Sequence, residues 1–238
     1  MVAVDRWFVE ALQPTVTPLD DVLFPVCGLA RKKDSMSRKY PELTFTDSVK
    51  AVQTHYGTRR QGEKLESSQV SDDRLGSSEA EFIAERDSFY VASVGEEGWP
   101  YMQFRGGPRG FLKVIDEKTL GYADFRGNLQ YITMGNLKHN NRVALFLMDY
   151  PNRRRLKIMA RAEVFDAADR PEMIERLEDP NYRARIERGV LYHIEAFDWN
   201  CPQHITPKFT EEEIEPLIGR YREQISELQE TISRLRAQ

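Results

Sequence analysis

The chain has 238 residues, 34 of them basic and 38 acidic, for a formal net charge of −4. A globally basic nucleic-acid binder is disfavoured by that balance, and the 40% apolar and 30% charged content is that of a globular chain. The longest apolar runs, such as Val143 to Met148, fall far short of the roughly 20 residues a membrane-spanning helix needs.

The opening MVAVDRWFVEALQP carries Asp5 and Glu10 and no apolar core, so no secretory signal is expected there. Two cysteines, Cys27 and Cys201, offer no disulfide framework, and a reducing, cytoplasmic compartment is the expectation. His193, Cys201 and His204 lack the paired spacing of a zinc site, so no metal is expected. VLFPVCGLA is an apolar island before the basic ARKK. Residues 45–57 predict a short helix capped by Thr46 and ended by Gly57. The polar stretch 58–78 reads as a linker or surface loop. Ser77 or Ser78 is then expected to cap a helix over EAEFIAERD, with Glu81 completing a capping box.

From residue 88 the period changes. SFYVASV and WPYMQF predict a hairpin around GEEG, and FLKVI and TLGYAD a second around Asp116 to Lys118. A helix is expected over LQYITMGNL. RVALFLMDY lacks alternation and so predicts a strand buried on both faces, with LKIMARAEVF as its hairpin partner. PEMIERL is a short helix opening on Pro171, and GVLYHIEAF a last strand. Seven strands joined mostly as antiparallel hairpins, with intervening helices, predict a mainly β, α+β fold closed or partly closed into a small barrel. From Thr210 the pattern is helical again. Thr210 and Glu213 form a capping box. Ile214, Ile218, Tyr221, Ile225, Leu228, Ile232 and Leu235 follow a 4-3-4-3-4-3 spacing. That seam fits either a helix packed on its own domain or a coiled coil between subunits.

Chemistry is suggested by Arg-Gly turns between strands. Arg105-Gly106-Gly107-Pro108-Arg109-Gly110 follows one strand, Asp124-Phe125-Arg126-Gly127-Asn128 follows another and opens a helix, and Arg153 to Arg155 with Lys157 begin a third. Glycines let backbone amides approach an anion, arginines present forked donors, and a helix start adds its positive end. Together they point to a phosphate-bearing ligand. In EAFDWNCPQHITP, Trp199 is suited to stack on a flat ring and His204 to donate a hydrogen bond or a proton. The chain has no GxSxG, HExxH, Walker or GxGxxG motif, so redox chemistry would need a cofactor bound some other way.

Residues 79–165 resemble the pyridoxamine 5′-phosphate oxidase-like, FMN-binding split-barrel proteins. The resemblance is carried by ERDSFYVASVGEEGWPYMQFRGG, LGYADFRGNLQYITMGNL and NNRVALFLMDYPNRRRLKIMARAEV, and less firmly by EAFDWNCPQHITP. It implies an antiparallel split barrel with flanking helices, a homodimer, and FMN at the subunit interface in contact with both chains. It divides the chain into an N-terminal extension (1–78), a cofactor domain (79–207) and a C-terminal helix (208–238). Arg105 stands near the family's phosphate-side strand arginine. Leu129 and Gln130 occupy the positions of its phosphate-binding Arg-Lys pair, so Arg126, Arg109 and Asn128 are the expected replacements, with Gly106, Asp124 and Gln130 beside them. Arg155 falls where the family has Gln near the flavin ring, and Lys157 follows it. Trp199 resembles a late Trp that reaches the partner's FMN. The family's substrate-phosphate Arg-Leu-His run is not found in HITPKF, so pyridoxamine phosphate is not the implied substrate. The implied activity is an FMN-dependent oxidoreductase. The alternative is a non-catalytic protein of the same fold that binds flavin, deazaflavin or heme.

Overall fold

The computed structural model describes residues 38–237. The apolar island at 22–30 and the N-terminal stretch lie outside the described residues. Seven strands form one antiparallel sheet: β1 (Ser88–Val94), β2 (Pro100–Gly106), β3 (Lys113–Asp116), β4 (Thr119–Phe125), β5 (Arg142–Asp149), β6 (Arg154–Asp166) and β7 (Ile186–Trp199). Their order is β2-β1-β5-β6-β7-β4-β3. Three of the joins are the expected hairpins, β1–β2, β3–β4 and β5–β6.

The sheet wraps on itself. Phe89 of β1 meets Tyr122 of β4 edge-on at 5.6 Å and Tyr192 of β7 at 6.1 Å, although β5, β6 and β7 separate β1 from β4 in the sheet. Register shifts at Met159/Ala160 and Asp124/Phe125 supply the local bends that such curvature needs. Across the β6–β7 pair the ring of Phe165 lies over Gly189, where a Cβ would fall 2.1 Å from it. Only glycine leaves room for that ring. Phe89, Val91, Leu120, Leu145, Leu147, Leu156, Ile158 and Val190 are all buried inside the wrap.

Seven helices flank the sheet among the described residues: α1 (Lys39–Thr44), α2 (Asp47–His55), α3 (Arg59–Glu66), α4 (Ser77–Ala84), α5 (Ile132–His139), α6 (Pro171–Leu177) and α7 (Glu211–Arg236). Thr46 caps α2 by accepting from the Val49 amide, and Pro171 opens α6, both as expected. The polar stretch after residue 58 is not all loop, because α3 occupies Arg59–Glu66. It has no apolar stripe to betray it. Its first residue, Arg59, is held by Gln53 of α2 at 2.7 Å and by Glu66. The cap of α4 is Gly76, not Ser77 or Ser78, and Glu79 accepts from the Gly76 amide at 3.0 Å. The Leu75 amide bonds the Glu117 carbonyl at 2.7 Å, which fixes where α4 starts.

Further along the same stretch, Asp72 is 2% exposed. It accepts from the Lys39 and Tyr40 amides at 2.6 and 3.1 Å and from Arg38 Nε at 3.0 Å. Its own carbonyl takes the Phe197 amide at 2.6 Å. A carboxylate at a helix start offsets both its burial and the unpaired N–H groups of α1.

Strand β5 is not buried on both faces. Val143, Leu145, Leu147 and Asp149 point inward, while Ala144, Phe146 and Met148 are half-buried on the outer face. That outer face continues across β1 and β2, where Tyr90 pairs with both Phe146 and Phe104. Met102 and Phe104 are 68% and 57% exposed on it. The missing alternation in the sequence therefore reports an apolar surface, not a second core.

Phe89 is 1% exposed and joins rings from β4 and β7. Phe89→Ala is expected to destabilise the chain by about 3–5 kcal/mol, read as a lower denaturation midpoint in a urea titration.

Candidate functional site

Alternation on β2 and β4 builds the site. Tyr101, Gln103 and Arg105 share one face of β2, and Tyr122 and Asp124 share one face of β4. The two faces meet where the sheet closes. Arg188 of β7 stands opposite Asp124 in the β4–β7 register. The Asp124 carboxylate is 2% exposed. It accepts from Arg188 Nε and Nη2 at 3.0 and 2.7 Å and lies 3.3 Å from Arg105 Nη1.

These residues floor a cavity of about 310 Å³, roofed by the turn 126–131 and the start of α5. That size suits a small-molecule ligand. Leu129 and Tyr131 take positive φ of 64° and 53°, and Asn128 Oδ1 accepts the Gln130 amide at 3.2 Å. The turn delivers the chain into α5 with no side-chain cap, so the first-turn amides of that helix have no capping acceptor. Thr133 is buried and donates to Gln103 Oε1 at 2.6 Å, which pins α5 to β2. Asn136 donates to Ser93 Oγ at 3.0 Å and pins it to β1.

The cavity is cationic. Arg105, Arg126 and Arg188 line it against one buried carboxylate, Asp124, with Glu187 3.7 Å from Arg126 Nε and 3.1 Å from Arg188 Nη1. Burial works against the charge on Arg105, but the Tyr122 and Asp124 oxygens outweigh it and hold the guanidinium above its ordinary range. For Arg188 burial is likewise outweighed, by hydrogen bonding to Asp124 and its charge. Burial, then neighbouring oxygens, push the Tyr122 phenol well above its ordinary value, and burial pushes up that of Tyr192 beneath it. Two buried polar atoms here, Arg105 Nε and the Tyr122 hydroxyl, have no hydrogen-bond partner. Native structures seldom leave such groups unpaired, and a bound ligand is one way to satisfy them.

A second, shallower cavity of about 340 Å³ lies on the outer face of the sheet. Tyr90, Phe146 and Met148 floor it, and Tyr150, Arg155 and His204 line its side. The Arg155 Nε atom is buried without a partner. The Tyr90 ring touches the Phe104 ring at 5.7 Å, and Phe104 also lines the first cavity.

The structure therefore gathers Arg105, Gly106, Asp124, Arg126, Asn128 and Gln130 around the first cavity. Arg155 and His204 lie at the second. Arg109 is exposed and lines neither. Lys157 is paired with Asp198 at 3.2 Å and lies over the Tyr40 ring. Trp199 donates to Glu79 Oε1 at 2.8 Å and packs edge-on against Phe82, under the Arg154 guanidinium. Arg188, Gln103, Tyr122 and Thr133 join the first cavity without having been singled out from sequence. No local spacing marks Arg188, which meets Asp124 across 64 residues of chain. The step of two between Gln103 and Arg105 on β2 was the available signal.

A family model described as pyridoxamine 5′-phosphate oxidase matches residues 78–197. No curated protein matches the chain. Among solved structures, the Group A Streptococcus protein HupZ is 15% identical, with a TM-score of 0.44 over 57% of this chain and 100% of that one. An FMN-binding protein from Syntrophomonas wolfei is 14% identical, with a TM-score of 0.41 over 65% and 97%. General stress protein 26 from Bacillus anthracis is 15% identical, with a TM-score of 0.35 over 55% and 94%.

The raised phenols set an alkaline limit. The folded chain holds the Tyr122 and Tyr192 protons more tightly than the unfolded chain, whose phenols ionise near the ordinary value of 10.0. Their contribution to stability is complete below that pH and is lost as pH rises toward the folded values. Tyr122→Phe removes one of the two groups and an unpaired buried hydroxyl. It is expected to leave stability at neutral pH within about 0.5 kcal/mol of the parent and to soften the alkaline fall, measured as denaturation midpoints in a pH series.

Proposed function

The chain belongs to the pyridoxamine 5′-phosphate oxidase family, and we propose that it is an FMN-dependent oxidoreductase whose first cavity holds the cofactor phosphate. The observation that carries this reading is the pair of partnerless buried groups, Arg105 Nε and the Tyr122 hydroxyl, in a cavity lined by three arginines. They fit a phosphate ester. Arg105 and Arg188 are held side by side by Asp124, Arg126 stands at the turn, and the uncapped start of α5 directs N–H groups toward an anion. These groups take the place of the Arg-Lys pair whose positions Leu129 and Gln130 occupy. Asn128, Gln130 and Gly106 line the same space and complete the proposed set, and Arg109 sits outside it.

When bound, FMN supplies reversible uptake of two electrons. The chain supplies position and charge. Arg155, with its partnerless Nε, brings positive charge to the second cavity, where it favours an anionic ring. His204 stands beside it as a hydrogen-bond donor. Lys157 and Trp199 are engaged with Asp198 and Glu79, and their part in the reading is to hold β6 and β7 in place.

The reading includes a homodimer formed through the outer face of β2, β1 and β5. Met102 and Phe104 are exposed there beside Tyr90, Phe146 and Met148, and both cavities border the patch. An apolar patch of that kind marks an interaction surface. Pairing through it sets the second cavity of one protomer near the first cavity of its partner, so the cofactor touches both chains. Residues 79–207 are taken as the cofactor domain. No helix among the described residues is long and apolar enough to cross a membrane. The two cysteines suit a reducing compartment, and the reading places the protein in the cytoplasm.

Titration of the full chain with FMN, followed by flavin fluorescence, tests the proposal. Arg105→Ala is expected to weaken binding about 10- to 100-fold, by losing a charge-assisted phosphate contact worth about 1.5–3 kcal/mol. A parent protein with no affinity for FMN would remove the cofactor. One that binds FMN and never reduces it with nicotinamide or organic donors would be a flavin carrier.

A further inference from the structure

The C-terminal helix carries an apolar seam that, from Tyr221 on, stays exposed among the described residues. From Arg220 to Ala237 every residue of α7 and its cap is exposed. Tyr221, Ile225, Leu228, Ile232 and Leu235 are between 47% and 64% exposed. A 26-residue helix with such a stripe is not stabilised by its own propensity alone. At the start of the seam Ile214 and Ile218 are half-buried, and from Tyr221 on its residues are exposed.

We propose that α7 pairs with α7 of a second copy as a parallel, two-stranded coiled coil. The occupant follows from the seam itself. Numbered as heptads, Ile218, Ile225 and Ile232 fall at a, and Tyr221, Leu228 and Leu235 at d. Among parallel coiled coils, Ile at a with Leu at d favours two strands. The flanking positions agree. In a parallel pair each g residue faces the following e residue of the other helix, giving Leu217 with Arg222, Gln224 with Gln229 and Thr231 with Arg236. None of these sets like charges together. The remaining charges, Arg220, Glu223, Glu227, Glu230 and Arg234, all fall at the outer c and f positions. A seam that complements itself about a two-fold axis closes as a dimer and leaves no apolar edge for further copies. Pro216 and Gly219 confine the pairing to the helix beyond its first two turns, since a proline there removes a backbone hydrogen bond.

This pairing does not rest on the cofactor, and it adds a second contact to the dimer proposed above. Its test is a full chain carrying Cys27→Ser, Cys201→Ser and Leu235→Cys, oxidised at micromolar concentration. Parallel pairing puts the two substituted d positions together, and a disulfide-linked dimer is expected. The substitutions Ile225→Glu and Leu228→Glu, made together, are expected to raise the dimer dissociation constant more than tenfold and to leave the melting of the barrel unchanged, because both residues are exposed within one chain. Three results would overturn the pairing: a monomeric full chain; a dimer with no Leu235→Cys link and an unchanged dissociation constant; and a link that forms only when Leu235→Cys is mixed with Ile218→Cys, which means antiparallel helices. Truncation after Pro207 separates the two contacts. A linked full chain that becomes monomeric on truncation keeps the coiled coil and loses the shared sheet face.

Discussion

Asp124 is where the two ends of the sheet meet. β2 is the first strand in the sheet order and β4 the last but one, yet Arg105 of β2 and Arg188 of β7 both reach this one carboxylate. Burying a carboxylate costs several kcal/mol unless it is paired. Two guanidinium groups meet that requirement and tie the wrapped sheet shut. The same arrangement leaves a surplus of positive charge in a half-enclosed space. Arg126 adds to it from the turn, and the start of α5 adds aligned N–H groups. Three guanidiniums, Arg105, Arg126 and Arg188, face two carboxylates, Asp124 and Glu187, and the cavity keeps a net positive charge. Closure of the barrel and the positive lining of the cavity thus come from the same ion pairs.

The outer surface completes the picture. Core residues of β1 and β5 face inward at alternate positions, and the intervening Tyr90, Phe146 and Met148 are apolar where a solvated strand would be polar. That apolar face is only partly covered within one chain. It has a use when a second surface covers it. The α7 seam poses the same question near the end of the sequence, with exposed apolar side chains at regular intervals. Two separate apolar surfaces, on different elements, are thus left exposed among the described residues.

Much of the fold was legible because its signals are local. Turn residues and the apolar, β-branched or aromatic runs between them marked all seven strands, and Thr46, Pro171 and Thr210 marked helix starts. Failures came where a local rule met a tertiary demand. α3 is held to α2 by one ion pair and one hydrogen bond and has no stripe to read. The cap of α4 moved to Gly76 because the neighbouring backbone is fixed by Glu117. β5 looked doubly buried because its second face is an apolar surface. In the site, the Arg-Gly turns announced Arg105, Arg126 and Asn128 through composition alone. Arg188 and Tyr122 were silent, since their role depends on register across the barrel. Lys157 and Trp199 have the chemistry of ligand-binding residues, but only the folded chain discloses their partners Asp198 and Glu79.

The central claim is that Arg105, Arg188, Arg126 and the start of α5 form a phosphate site. The most direct measurement compares the affinity of the full chain for FMN with that for riboflavin, which has the same ring system and lacks the phosphate. Several charge-assisted hydrogen bonds to phosphate predict FMN binding tighter by about a hundredfold or more, with an advantage that shrinks as salt is raised. Equal affinities for the two flavins would contradict the account.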